Sequence, residues 1–377
     1  MKTLLPLLPW FLATFPTTHA SPPSHPAPLP RHKPPPPGCP PLDPRGDHVV
    51  TFYQLYPENA DWDASACRLW IGSVFNATAA VYDPYSGRVT SVLVFPGISH
   101  TGSAHIGGVA WDGRTGQVTI LANSARPWET GGADVSGKRE LIRWDPRGGA
   151  GSGADGPGRV VWRVDLTRTS RGRYGGFQDV DHDAWGRTYV VGTWPGTILR
   201  VDERGTEVAE WVVPEPLPPT TVKGYSGIAV VRETGSREML AVDGDGRLKR
   251  FDLARGRGRA VDVPIRPEVL YNDTDAIYLP PMYEGRVLLA ASLYSGIQVL
   301  RSRDRRWRTA EYLGTIPIPQ GELYEGGNTV ATVQMGTSVF MVIGFIFDPW
   351  VPGMVAGNRT HFPFPDITED IEKLLKK

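Results

Sequence analysis

Three aspartates and a histidine fall between positions 179 and 183, in the stretch GGFQDVDHDAWG (175–186). Such residues suit two chemistries: acid–base work by paired carboxyls, or coordination of a hard cation through oxygen. Which applies depends on which side chains share a face. On a strand Asp179 and Asp181 point one way and His182 the other. Asp183 opens the turn DAWG, where a carboxylate bonds the turn's own amides, as Asp112 does in DGRTG (112–116). His182 aligns with Trp111 and Tyr278 and is expected to pack between sheets rather than to ligate. Asp179 is the functional candidate of the stretch.

The elements around it recur. HIGGVAWDGRTGQVTIL (105–121), GGFQDVDHDAWGRTYVV (175–191), GYSGIAVVRETGSREMLAV (224–242), NDTDAIYLPPMYEGRVLLAA (272–291) and GGNTVATVQMGTSVFMVI (326–343) share one plan. Each has a small or polar start, a short strand, a turn and a second apolar strand, followed in most cases by a third and often a fourth. A spacing of roughly 45–60 residues with four antiparallel strands per unit defines a propeller blade. A divergent unit spans 67–99, and VVTFYQLY (49–56) has no unit of its own and is expected to complete the last blade. The expectation is an all-β, six-bladed propeller of four-stranded antiparallel blades over 49–365, with a short C-terminal helix in 366–377 capped by Asp366.

Aligning the units puts Asp179 in a column with Gly108, Gly227, Asp275 and Thr329, after a column of Gly107, Gln178, Ser226, Thr274 and Asn328. These positions start the innermost strands, so they converge on one end of the central channel. Asp179, Asp275, His105 and Glu58 are the catalytic candidates; Gln178, Lys223, Tyr225, Trp128, Asn272 and Asn328 are the candidates for holding a substrate. Two insertions would wall such a pocket, NSARPWETGGADVSGK (123–138) with Trp128 and PEPLPPTTVKGYSG (214–227) with Lys223.

Bulk properties narrow the partners. With 40 basic and 40 acidic residues, the chain offers no overall charge for nucleic acid or an anionic membrane. There is no GxSxG elbow, HExxH, phosphate loop or dinucleotide fingerprint, and two cysteines exclude metal sites built on CxxC pairs. Residues 1–20 read as a secretory signal ending in TTHA, and 21–48 as a proline-rich linker. No later run is long enough to span a membrane; SVFMVIGFIF (338–347) reads as a buried strand. A secretory route suits pairing of Cys39 with Cys67 and glycan acceptors at Asn76, Asn272 and Asn358. The localisation expected is secreted or secretory. A closed ring leaves no sheet edge to pair, so a monomer is the default.

LYPENADWD (55–63), FPGIS (95–99), HIGGVAWD (105–112), GGFQDVDHD (175–183) and GTILRVD (196–202) resemble a fungal family, that of trichothecene-biosynthesis protein fourteen. The resemblance runs from Tyr53 to Trp350. It implies six blades, a fold similar to gluconolactonase and strictosidine-synthase-like propellers, and a role in secondary metabolism. It also implies closure of an oxygen-bridged ring by loss of an allylic hydroxyl and attack by another hydroxyl, for which Asp179 and Asp275 would divide the acid and base roles. Tyr225 and Trp128 would shield the cation. Two other readings stand beside it. One is a lactonase or other hydrolase with a single divalent cation, calcium by ligand type, on Glu58, Asp179, Asp275 and Asn328. The other is a secreted binding platform with no catalysis and no cofactor.

Overall fold

The computed structural model describes residues 38–42, 46–148, 158–232, 236–269, 271 and 273–376. The signal segment, most of the linker, and Asn272 lie outside these. β1 (His48–Thr51) is followed by β2 (Pro57–Asp63), β3 (Arg68–Ser73), β4 (Ala79–Asp83) and β5 (Arg88–Leu93), the last four forming the first sheet in chain order. The second sheet holds β6 (Ala104–Asp112), β7 (Gln117–Ser124), β8 (Glu140–Asp145) and β9 (Arg159–Asp165). The third holds β10 (Gly175–His182), β11 (Thr188–Trp194), β12 (Thr197–Val201) and β13 (Val208–Val212). The fourth holds β14 (Ile228–Val230), β15 (Glu238–Val242), β16 (Leu248–Asp252) and β17 (Val261–Asp262). In the fifth, β18 (Ile265–Arg266) runs parallel to β22 (Ala310–Ile316) outside β19 (Thr274–Tyr278), β20 (Val287–Ser292) and β21 (Gly296–Arg301).

The chain then closes on itself. β23 (Asn328–Met335) pairs with β24 (Ser338–Gly344), every residue of which is buried. Met341 N donates to Pro365 O at 3.0 Å and Ile367 N to Val339 O at 2.9 Å, laying β25 (His361–Phe364) beside β24. β1 pairs antiparallel with β25, His48 opposite Phe364 and Thr51 opposite His361, so the first and last strands of the chain join. The protein is an all-β propeller with a short C-terminal helix, α3 (Thr368–Leu375), counted after α1 (Arg126–Glu129) and α2 (Leu166–Ser170) in the loops. Asp366 accepts from Thr368 N at 3.0 Å at the start of α3. The first sheet begins ten residues before the expected 67, at Pro57, because PENADWD is itself an innermost strand.

Apolar layers between successive sheets hold the ring. Ile106, Val109 and Trp144 pack with Trp70 between the first and second; Phe177, Val180 and Leu199 pack with Leu121 between the second and third. Ile277, Leu288 and Trp307 meet Leu240 between the fourth and fifth. The innermost strands approach closely: a Cβ on Gly108 would lie 2.7 Å from Val180 Cγ1, and one on Gly227 2.6 Å from Ile277 N. The glycines of the aligned column therefore serve packing around the axis. Among the described residues no helix is long and apolar enough to cross a membrane.

Candidate functional site

The innermost strand of a sheet pairs with its neighbour through a register break at its start. The breaks lie between Pro57 and Asn59, Ile106 and Gly108, Phe177 and Asp179, and Thr329 and Ala331. A bulge leaves one residue unpaired and re-aims its side chain. Glu58 and Gln178 are two of those residues. The sequence thus folds locally so that polar side chains turn toward one mouth of the channel.

Across that mouth the side chains join alternate sheets. Asn59 Nδ2 of the first sheet donates to Asp179 Oδ1 of the third at 3.2 Å. Gln178 Nε2 of the third donates to Asp275 Oδ1 of the fifth. Thr193 Oγ1 has Gln178 Oε1 at 3.1 Å and Tyr225 O at 2.8 Å within reach of its one proton. Asp179 also accepts from Val180 N at 2.8 Å and Ile228 N at 3.0 Å, clamping its strand to the next sheet. No described residue donates a hydrogen bond to Glu58. Asn328 is buried; its amide donates to Leu293 O at 3.5 Å, while Oδ1 has no hydrogen-bond partner among the described residues.

Burial sets the proton affinities. It pushes Asp179 up to about 8, against the pull of the Ile228 and Val180 amides. It pushes Asp275 up to about 7, opposed by the Gln178 hydrogen bond and the Lys223 charge. Burial also raises Glu58 well above the ordinary glutamate range, reinforced by the charges of Asp275 and Asp179. His105 is driven down to about 4 by burial and is neutral at pH 7. Two carboxyls therefore exchange protons near neutrality beside a third, Glu58, that burial holds toward its protonated form, which is the condition for one to give and another to take.

The remaining candidates separate. His105 lies edge-on to Phe75 at 6.1 Å, and Phe75 lies edge-on to Trp350 at 5.6 Å. Trp128 sits half-buried in α1, which packs on β10. Tyr225 does not face the mouth: its ring is buried against Phe251 at 5.8 Å, between the third and fourth sheets, so the expected cation shield is absent there. Its neighbour Ser226 holds the aligned position, and adjacent residues face opposite ways. Asn272 cannot be placed. His182 is buried between sheets, its Nε2 2.8 Å from Thr119 Oγ1 and from Arg143 Nη1. Asp183 accepts from Trp185 N at 2.9 Å and Arg187 Nε at 2.6 Å, holding its turn. Cys39 and Cys67 are disulfide-bonded. Asn358 is exposed, whereas Asn76 is half-buried and donates to Gln54 O at 2.9 Å.

Sequence reasoning missed two features. One is an aromatic rim. Second strands end where first strands begin, so Tyr294 after β20 and Phe347 and Trp350 after β24 stand at the carboxyl mouth, with buried Phe75 after β3 packed edge-on to Trp350. Tyr294 and Phe347 are 66% and 62% exposed and stack at 6.3 Å with an interplanar angle of 5°. The other lies further down the channel, where Asp61, Asp181 and Arg232 meet. Asp61 and Asp181 sit two residues beyond Asn59 and Asp179, on the same faces, so strand alternation was the available signal.

The mouth as it stands does not fit a cation. Among the described residues no three His, Cys, Asp or Glu side chains stand close enough to share a metal ion. Where calcium would need an oxygen, Gln178 turns its amide nitrogen to Asp275.

A closed ring of radial sheets, with acid groups from several sheets converging on one end of its channel, defines the class: a propeller built around a small-molecule-sized axial site. Within that class, the chain belongs to the trichothecene biosynthesis protein 14 family. It is 32% identical over 355 residues to trichothecene biosynthesis protein 14 of Trichoderma arundinaceum, covering 89% of this chain and 92% of that one. It is 29% identical to the core trichothecene cluster protein 14 of Fusarium sporotrichioides, over 89% of this chain and 88% of that one. No family model matches. In fold it is similar to the Malassezia sympodialis allergen Mala s 1, with a TM-score of 0.69 at 18% identity over 85% of this chain and 95% of that one. A candidate gluconolactonase superimposes with a TM-score of 0.50 at 16% identity, over 86% of this chain and 93% of that one.

Proposed function

We propose that the carboxyl mouth closes an oxygen-bridged ring on a small, largely apolar, hydroxylated molecule of fungal secondary metabolism. The observation that carries this reading is the trio Glu58, Asp179 and Asp275 converging from three different sheets, Asp179 and Asp275 held at about 8 and about 7 and Glu58 raised well above the ordinary glutamate range by burial. Glu58 is the acid: nothing described bonds its carboxyl, and burial keeps its proton on. That proton passes to an allylic hydroxyl, the C–O bond breaks, and water leaves. A second hydroxyl of the same molecule attacks the allylic cation and gives its proton to Asp275, whose carboxylate Gln178 and Lys223 favour. The net change is loss of one water. Asp179 ties the strands together. The exposed aromatic rim supplies apolar and cation-stabilising faces beside the acid. Counting β23, β24, β25 and β1 as one blade supports a six-bladed ring, and the disulfide supports passage through an oxidising compartment.

Metabolite profiling tests the reading. A strain lacking the protein is expected to accumulate the unclosed hydroxylated precursor, restored by the intact gene but not by Glu58→Gln or Asp275→Asn. Full restoration by the Glu58→Gln/Asp275→Asn double variant would exclude acid–base chemistry at this mouth.

A further inference from the structure

The polar cross-ties at the carboxyl mouth divide the channel. Below them lies a cavity of about 830 Å³, within the range that encloses a small molecule. Of the mouth residues only Asn59 and Asp179 line it; Glu58, Gln178, Asp275 and Asn328 do not. It opens on the face where the innermost strands end, and its walls include Trp111, Trp185, Ile277, Leu279 and Ala331.

Its lining also carries charged groups, among them Asp112, Arg114, Asp183, Glu284 and Arg305, and those beside the innermost strands are held in place. Asp61 accepts from Trp62 N at 2.8 Å and, across to the second sheet, from Trp111 N at 2.7 Å. Asp181 accepts from His182 N and, across to the fourth sheet, from Val230 N, both at 2.7 Å. Arg232 follows β14 and donates Nη2 to Asp181 Oδ1. Its side chain lines the cavity and is 44% accessible. A guanidinium has five N–H donors in a planar fork. Arg232 commits one nitrogen to Asp181, and its other nitrogens donate to no described residue. The result is a fixed set of acceptors with a partly unused donor fork, inside a largely apolar chamber.

We propose that this chamber is a second ligand site, for a neutral and mainly apolar small molecule carrying an oxygen acceptor that takes the unused N–H groups of Arg232. Its occupant enters from the face opposite the carboxyl mouth, because the ties Asn59–Asp179 and Gln178–Asp275 cross the channel between the two. A charged ligand is disfavoured because the lining carries both signs: an anion would face Asp61, Asp181 and Asp183, and a cation would face Arg232, Arg114 and Arg305. The site needs no turnover and stands apart from the chemistry assigned to the mouth.

The test uses the whole chain and 2-naphthol, a neutral fused bicycle with one hydroxyl, titrated by saturation-transfer NMR. Saturable one-site binding is expected with a Kd below about 1 mM, at least about tenfold weaker in Arg232→Met and unchanged in Asp275→Asn. Arg232→Met leaves two carboxylates without their cation, so Arg232→Lys, which keeps the charge and loses the fork, is measured alongside. It is expected to weaken binding as well. If Arg232→Met fails to fold by circular dichroism, Arg232→Lys alone decides. Absence of saturable binding would overturn the proposal. So would binding that both Arg232 variants leave intact, or binding that Asp275→Asn abolishes, which would put the probe at the carboxyl mouth.

Discussion

Gln178 reaches across the channel from the third sheet to the fifth and donates its amide to Asp275. This bond favours the carboxylate form of a group that burial otherwise holds protonated. Gln178→Leu removes the donor and leaves burial in place, so the Asp275 proton is held more tightly, by about one pH unit. In the proposed reaction the acidic, rising limb of ring closure, which requires ionised Asp275, then moves to higher pH by that amount. An unchanged pH profile would mean that Asp275 is not the base.

The same carboxyls make stability depend on pH. Folded Asp275 and Asp179 keep protons up to about 7 and about 8, whereas unfolded aspartates lose theirs near 4. Between those values the folded state binds more protons than the unfolded, so stability is greatest below about 4 from this source and falls as pH rises to about 8. The thermal midpoint is expected to fall over that window. Asp275→Asn accepts the Gln178 amide through its own carbonyl and carries no charge, so its fall is shallower. Equal slopes in the two proteins would place the effect elsewhere.

Asp181 ties three things at once: its own strand, the fourth sheet through Val230, and Arg232. Asp181→Ala frees two backbone amides and leaves the guanidinium without its partner. The expected loss is about 2–4 kcal/mol in denaturant unfolding, discounted because Arg232 stays partly solvated. Asp181→Asn keeps an acceptor and loses less. If both variants unfold at the wild-type midpoint, the clamp does not hold the sheets.

The Cys39–Cys67 bond fixes the segment before β1 to the first sheet, where Leu42 is buried. Cys67→Ser is expected to cost about 2–4 kcal/mol, read by thermal unfolding under non-reducing conditions. A matching loss on reduction of the wild-type protein would confirm the source. No change in either would make the bond incidental to stability.

The repeat made the ring legible, and the aligned columns placed Gln178, Asp179, Asp275 and Asn328 at the starts of innermost strands. Asp61 and Arg232 were hidden for different reasons. PENADWD carries too many polar residues to read as a buried strand, so its period of two was not followed past Asn59 to Asp61. Arg232 lies beyond β14 in an irregular stretch, where no periodicity says which way a side chain points. Tyr225 failed by one position, since its backbone carbonyl serves the mouth through Thr193 while its ring serves the core. The aromatic rim is assembled from loops of two sheets, and pairwise spacing in the chain carries no trace of it.

The most direct measurement is the titration of aspartate carboxyl carbons by NMR in protein labelled at that position. Burial also puts Asp61 at about 6, and beyond it two resonances are expected to change, at about 7 and about 8, one vanishing in Asp275→Asn and the other in Asp179→Asn. Ionisation of every aspartate by about pH 5, as for solvated carboxyls, would contradict a mouth in which buried carboxyls share protons and divide acid from base.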